Sequence, residues 1–259
     1  MQGFDELVAI AARLRGESGC PWDRAQSPET MRPYVLEEAH EVLAAIDRGD
    51  RPELMKELGD LLFQVVMLAR MAEEEGAFAI DAVLDGINRK MVVRHPHVFD
   101  PSHVATGDEG DVAAWEARKA KERRVSPSHE RSALDGVPEA LPALLRAHRI
   151  SEKAGAVGFD WPDVAGVREK LTEEVAELDE AIASGDAAAI GEELGDVLFT
   201  LVNLGRHLPV SAEDALRTAA ARFEARFRTV ETELLAEGRS IHDTPPDELE
   251  ARWRAAKRR

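Results

Sequence analysis

The sequence predicts an all-α protein made of two tandem helical bundles. Three observations carry this expectation: helix-forming residues dominate the composition, apolar residues recur at helical spacing between capping residues, and a long stretch of the chain repeats itself. Aromatic residues are only 5% of the 259, and alternating β-branched runs are scarce, which excludes a β-sandwich. At about 100–200 residues per domain, the length suits one large domain or two modest ones, either able to bury a core.

Sliding the chain on itself by 136 positions aligns Glu37, Glu38, Glu41, Glu57 and Asp60 with Glu173, Glu174, Glu177, Glu193 and Asp196 without a gap. Between Arg32–Val66 and Arg168–Val202, 15 of 35 positions are identical, many of them polar residues that a generic amphipathic helix would not fix. Residues 124–141, RVSPSHERSALDGVPEAL, cluster Ser, Pro and Gly between helical patterns. They place a linker at 125–140 between domains at 1–124 and 141–259.

In the first half, a short helix near Phe4–Leu14 comes first. Ser27-Pro28 then opens a helix that runs through the acids to Gly49, and Asp50 with Pro52 starts the next, which ends near Gly76. A third helix is expected from about Ala79 to Arg94 before Pro96, and a fourth from Asp111, carrying Trp115 and Lys119. The second half reads alike: Gly185-Asp186 is its hairpin turn, Pro209-Val210-Ser211 separates the next helix, and Thr244-Pro245-Pro246 introduces the last. Ser211 with Asp214 resembles a capping box with Asp in place of Glu or Gln.

Fifty acidic against 33 basic residues give a net charge of −17, which opposes direct nucleic-acid binding or an anionic membrane surface. An anionic substrate would need bound cations. The single cysteine, Cys20, excludes an internal disulfide framework and fits a reducing cytosol; it reads as a packing residue beside Trp22. The first residues carry Asp5, Glu6 and Arg13, unlike a signal peptide, and no apolar run approaches the ~18–20 residues of a membrane span. A cytoplasmic protein without membrane association is expected.

Glu57, Asp60, Gln64 and Met67 fall on one stripe of a helix whose other positions are largely apolar; Glu193, Asp196, Thr200 and Asn203 repeat the stripe. Such acids should point into a bundle, where carboxylates repel and lose hydration unless they share protons or cations. Oxygen-only ligation selects hard cations, Mg²⁺ or Mn²⁺. Arg222 and Arg226 lie one helical turn apart, and Trp253 with Lys257 puts an indole and an ammonium on one face; Lys90, Arg94, Trp115 and Lys119 repeat this pattern in the first half.

These motifs resemble the MazG family of nucleoside triphosphate pyrophosphohydrolases, whose signature is E-E-x-x-E followed by E-x-x-D. It occurs here twice, as EEAHE with ELGD and as EEVAE with ELGD. The segment GCPWDRAQSPETMRPYVLEEAHEV, Gly19 to Val42, is similar to the two-repeat bacterial members in particular. The resemblance implies an all-α bundle that forms a homodimer, with Mg²⁺ on the acidic motif and hydrolysis of an NTP to NMP and pyrophosphate. It also implies broad tolerance of base and sugar and a role in nucleotide-pool control or house-cleaning. It assigns Glu174, Glu177, Glu193 and Asp196 as metal ligands with Glu173 beside them, and Glu38, Glu41, Glu57, Asp60 and Glu37 as their counterparts. Arg222, Arg226 and Lys257 are assigned to the triphosphate, and Trp253 to the nucleoside.

Asn203 corresponds to Met67, so the first half loses a polar group from its stripe, and the second half is expected to be the main catalyst. His95-Pro96-His97 reads as a structural turn, and the residues after Lys257 as a solvated end. The absence of G-x-x-x-x-G-K-[ST] disfavours a P-loop ATPase. A ferritin-like di-metal site needs two Glu-x-x-His motifs; Glu37 and His40 supply one, but Ala176 occupies the matching position. A non-catalytic acidic binding module is the remaining rival, and metal-dependent pyrophosphate release separates it from an enzyme.

Overall fold

Helix boundaries follow the caps in the computed structural model, which describes residues 2–104, 107 and 132–257. The chain divides into two compact units, 1–105 and 106–259. The helix expected from Asp111, with Trp115 and Lys119, and residues 125–131 of the expected linker lie outside the described residues. Among the described residues, no helix is long and apolar enough to cross a membrane.

The first unit contains α1 (Gln2–Arg15), α2 (Pro21–Ala25), α3 (Pro28–Arg48), α4 (Arg51–Glu74), α5 (Ile80–Arg94) and α6 (Pro96–Phe99). Helix α3 begins in a capping box: the Thr30 N–H donates to Ser27 Oγ and the Ser27 N–H donates to Thr30 Oγ1, with Pro28 in the first turn. It ends at Gly49, whose φ of 65° suits a residue without Cβ. The next residue, Asp50, accepts the Glu53 N–H at 3.1 Å and opens α4. This two-residue turn folds α4 back onto α3. Ala11, Met31, Val66, Met67 and Met71 form the buried core, with Tyr34 and Phe63 packed against it. Arg15 fastens α1, pairing with Glu74 at 2.8 Å and donating to the Asp23 and Gln26 carbonyls.

The second unit contains α7 (Ala143–Gly155), α8 (Val164–Ser184), α9 (Ala187–His207), α10 (Ala212–Ala236), a 3₁₀ turn (Ile241–Asp243) and α11 (Pro246–Ala256). Its hairpin repeats the device: Gly185, φ 74°, closes α8, and Asp186 accepts the Ala188 and Ala189 N–H groups. Helix α7 packs on α9 and α10, and α10 packs on α11. Val167, Val202, Val230 and Leu234 are buried. Only half of the capping box expected at α10 forms. Ser211 accepts the Asp214 N–H at 3.2 Å, but Asp214, a methylene shorter than Glu, turns its carboxylate to Arg217 at 2.7 Å. The short α2, α6 and 3₁₀ segments were not expected, since each is too short to show a helical period.

Between α7 and α8 the chain is clamped to the end of α9. Asp160 accepts a bidentate pair from the Arg206 guanidinium, 2.7 Å for Nη1, and lies 3.0 Å from His207 Nε2. Gly155 permits this approach, because a Cβ there would lie 2.7 Å from Asp160 Oδ2. The guanidinium holds the Asp160 carboxyl down at about 2, below its ordinary 3.8. A depressed carboxyl pKa contributes stability that is complete above 3.8 and is lost as the pH falls through 2. Asp160→Asn should therefore cost about 1–2 kcal/mol at pH 7, discounted for partial exposure. In denaturant unfolding, the gap between wild type and variant should narrow between pH 7 and pH 3.

Candidate metal centre

Each hairpin brings three glutamates together across its two helices. Glu38 and Glu41 of α3 meet Glu57 of α4, and Glu174 and Glu177 of α8 meet Glu193 of α9; in each trio one carboxylate oxygen per residue lies within 4.8 Å of the others. The E-E-x-x-E spacing sets the second and third acids three residues apart on one face, and the hairpin turn delivers the third from the facing helix. Glu57 is 2% exposed and Glu174 is buried, whereas Glu41 and Glu177 are exposed, so each cluster straddles the boundary between core and solvent.

The electrostatics show like charges under compression. The close approach of the Glu57 carboxylate, through hydrogen bonding and then through its charge, pushes Glu41 above the usual carboxylate range. Burial raises Glu38, helped by the charges of Asp60 and Glu57. Partial desolvation raises Glu177, with Glu174 and Glu193 adding to it against the pull of Lys170. Among the described residues each cluster has one ammonium: Lys56 lies 2.9 Å from Glu57, and Lys170 lies 3.0 Å from Glu174 and 2.6 Å from Glu173. Hydrogen bonding to Lys56 holds Glu57 low, yet its second oxygen, Oε2, is buried with no hydrogen-bond partner among the described residues. A cation bound by oxygen ligands fits that donor set. Neither lysine stood out in the sequence, although Lys170 precedes Glu174 by one helical turn and Lys56 adjoins Glu57.

The remaining expected residues are placed less uniformly. Asp60 is half-buried and close enough to raise Glu38, but Asp196 is exposed and outside its trio. The expectation that the whole stripe points inward therefore holds for Glu57, Gln64, Thr200 and Asn203 and fails for Asp196. The physical reason is an uncovered flank: Leu194, Leu198 and Leu201 of α9 are exposed beside Asp196, as Leu58, Leu62 and Val65 are on α4. Glu37 and Glu173 are exposed at the rims.

Arg222, exposed, and Arg226, half-buried, lie on α10; none of Arg222, Arg226, Trp253 and Lys257 makes a side-chain hydrogen bond or ion pair with a trio among the described residues. Lys257 Nζ stands 5.6 Å above the Trp253 ring, whose neighbour Phe223 is 4.8 Å away, ring centre to ring centre. Lys90 and Arg94 lie on α5. His95 and His97 meet edge to face at 5.7 Å where the short helix α6 begins, so the segment expected as a turn is a brief helix capped by His95. Cys20 precedes Pro21 at the start of α2, and the neighbouring Trp22 meets Tyr34 edge to face.

In the second unit a cavity of about 530 Å³ opens between α7, the chain after it and α9. Trp161, Phe199, Asn203 and Arg206 line it. Asn203 is 1% exposed, donates to the Phe199 carbonyl at 3.1 Å and accepts from Arg206 at 3.2 Å. The sequence flagged Asn203 alone of these; the Gly-Phe-Asp-Trp-Pro stretch at 158–162 and Arg206, one turn past Asn203, were the available signals.

A family model described as the MazG nucleotide pyrophosphohydrolase domain matches residues 26–99 and again 164–230. The chain is 45% identical over 261 residues to a nucleoside triphosphate pyrophosphohydrolase of Escherichia coli (strain K12), covering 100% of this chain and 98% of that protein. It is 42% identical over 254 residues to the nucleoside triphosphate pyrophosphohydrolase/pyrophosphatase MazG of Thermotoga maritima, covering 98% and 95%. It is 31% identical over 244 residues, 93% of this chain and 63% of the other, to a nucleoside triphosphate pyrophosphohydrolase of Mycolicibacterium smegmatis. Both matched segments contain one acidic trio, and the chain belongs to the MazG nucleotide pyrophosphohydrolase family, with the domain present twice in tandem.

Proposed function

We propose that this chain is an enzyme that hydrolyses nucleoside triphosphates to the monophosphate and pyrophosphate, with Mg²⁺, or Mn²⁺ in its place, held by the acidic trio of the second unit. The observation that carries the reading is the convergence of Glu174, Glu177 and Glu193 within 4.8 Å in a family whose relatives are named for this reaction. Asp196, one turn beyond Glu193, completes the ligand set. When bound, the cation neutralises phosphate oxygens and favours attack by water. Lys170 pairs with Glu173 at the rim and with the buried Glu174, either of which accepts the proton of the attacking water. Water oxygen bonds to the α-phosphorus, the bridging oxygen leaves with pyrophosphate, and Arg222, Arg226 and Lys257 stabilise the charge that develops there.

Among the described residues no group at the trio reads a base edge, which supports broad use of bases and sugars and a role in controlling the nucleotide pool. The exposed leucines of α4 and α9 support a homodimer that covers them. The second unit is the main catalyst: its acid stripe keeps the polar Asn203 at the edge of a cavity, whereas Met67 at the same position is fully buried in the first core.

Incubation with each canonical and deoxy NTP plus Mg²⁺ should yield NMP and pyrophosphate. Glu177→Gln should lower turnover about 100-fold or more, and Glu41→Gln much less. NDP with orthophosphate as products would refute the reading. Removing a carboxylate also relieves repulsion in the cation-free protein. In chelator, Glu177→Gln should raise Tm by about 1–3 °C, while the rise that Mg²⁺ gives the wild type should shrink or vanish.

A further inference from the structure

We propose that Arg252, clamped between Glu237 and Glu248, is a positioning residue: it docks α11 on the end of α10 and thereby sets Trp253 and Lys257 for the substrate. The proposal rests on the hydrolase reading above and adds to it what holds the helix that carries these two groups.

Helix α11 needs a fastening of its own. It has 11 residues, none of them buried, and a helix that short is marginal without tertiary support. Leu249, Trp253 and Lys257 recur every four residues and form the face turned to α10. The Trp253 ring lies 4.8 Å from that of Phe223, ring centre to ring centre. That seam is incomplete, because Leu249 and Trp253 share with Phe223, Phe227 and Val230 a cavity of about 400 Å³. Apolar packing therefore leaves α11 under-held at the place where its substrate groups sit.

The adjoining face supplies the hold. Glu248 and Arg252 are one turn apart on α11, and Glu237 and Arg239 stand in the connection that leaves α10. The Arg252 guanidinium donates two bonds to Glu237, at 2.9 and 2.6 Å, and two to Glu248, at 3.1 and 2.8 Å. Arg239 donates a further pair to Glu248, at 2.6 and 2.8 Å. Exposed ion pairs contribute little one at a time, but forked donors on shared carboxylates make these four residues a network, and the Arg252 side chain at its centre is only 18% exposed. Arg239 holds Glu248 down at about 2 and Arg252 holds Glu237 below its ordinary value, so both acids stay charged at neutral pH.

Among the described residues, none of the four lines the Trp253 cavity or joins an acidic trio, so their effect on the substrate runs through the placement of α11. Arg252 directly precedes Trp253, and Lys257 Nζ lies 5.6 Å from that ring. Releasing Arg252 displaces the ring and the ammonium together.

Steady-state kinetics on the full chain test the assignment, with the canonical NTP that the wild type cleaves fastest. Arg252→Met keeps most of the side chain's length and removes its donors; it should raise KM about tenfold with kcat changed less than about threefold. Arg252→Lys, which restores the charge, should bring KM back toward wild type. Arg228→Met removes the same charge from an exposed pair with Glu224 on α10 and should shift KM less than about twofold. Acrylamide quenching of Trp253, taken as the difference between each protein and the same protein carrying Trp253→Phe, should rise in Arg252→Met. The Tm rise that Mg²⁺ gives should stay as in wild type, because the trio lies on α8 and α9. Wild-type KM in Arg252→Met, a KM rise that Arg228→Met matches, or loss of the Mg²⁺-dependent Tm rise in Arg252→Met overturns the positioning role alone. Failure of the wild type to form NMP and pyrophosphate overturns the hydrolase reading instead.

Discussion

Three carboxylates within 4.8 Å of one another oppose the folding of each hairpin, and the surrounding structure works against that repulsion. The Gly-Asp turn leaves little choice, since a left-handed glycine followed at once by a capping aspartate fixes how α4 returns along α3 and α9 along α8. Packing then commits Glu57 and Glu174 to the buried side while Glu41 and Glu177 keep contact with water. Among the described residues a single lysine tempers each trio, and the two halves draw it from opposite helices. Lys56 belongs to α4, where the second half has Glu192; Lys170 belongs to α8, where the first half has Tyr34. Two solutions to one electrostatic problem mean that the acids, more than their neighbours, are what the repeated unit is built to present.

A lone ammonium does not satisfy such a cluster. Lys56 binds one oxygen of Glu57 and leaves the other buried without a hydrogen-bond partner among the described residues, while Glu41 and Glu38 are pushed toward protonation. An orphaned acceptor in the interior costs its full desolvation unless something with positive charge meets it. The cation proposed for the trio would relieve that repulsion, and on a chain of net charge −17 it would also offset the charge of an anionic triphosphate.

Most of this architecture was legible in the sequence because it depends on local signals. Ser27-Pro28, Gly49-Asp50 and Gly185-Asp186 are caps whose chemistry acts within four residues, and the acids follow the period of a helix. What was not legible depends on long-range packing. Asp196 faces water because the leucine flank of α9 finds no cover within its unit. The cavity joins Leu134, Trp161 and Asn203, residues far apart in sequence, through a clamp in which Asp160 reaches Arg206 across 46 positions. No periodicity announces such a contact.

The same long-range packing explains how two halves with matching acids come to differ. Arg70 occupies the position of Arg206, but it pairs with Glu73 and Glu74 near the end of its own helix, and Arg15 joins it there to bind α1 down. Phe63 and Met67, at the positions of Phe199 and Asn203, then close with Tyr34 and Ala11 into a filled core. In the second unit Arg206 turns instead to Asp160, and the loop that it holds keeps Trp161 at the edge of an open space. A buried Asn needs its polar partners and cannot simply replace a methionine in an apolar cluster, so the exchange at this one position entails the rearranged arginine, the clamped loop and the cavity together. The repeat thus kept its acids in both copies, while the packing around the position of Met67 and Asn203 differs between them.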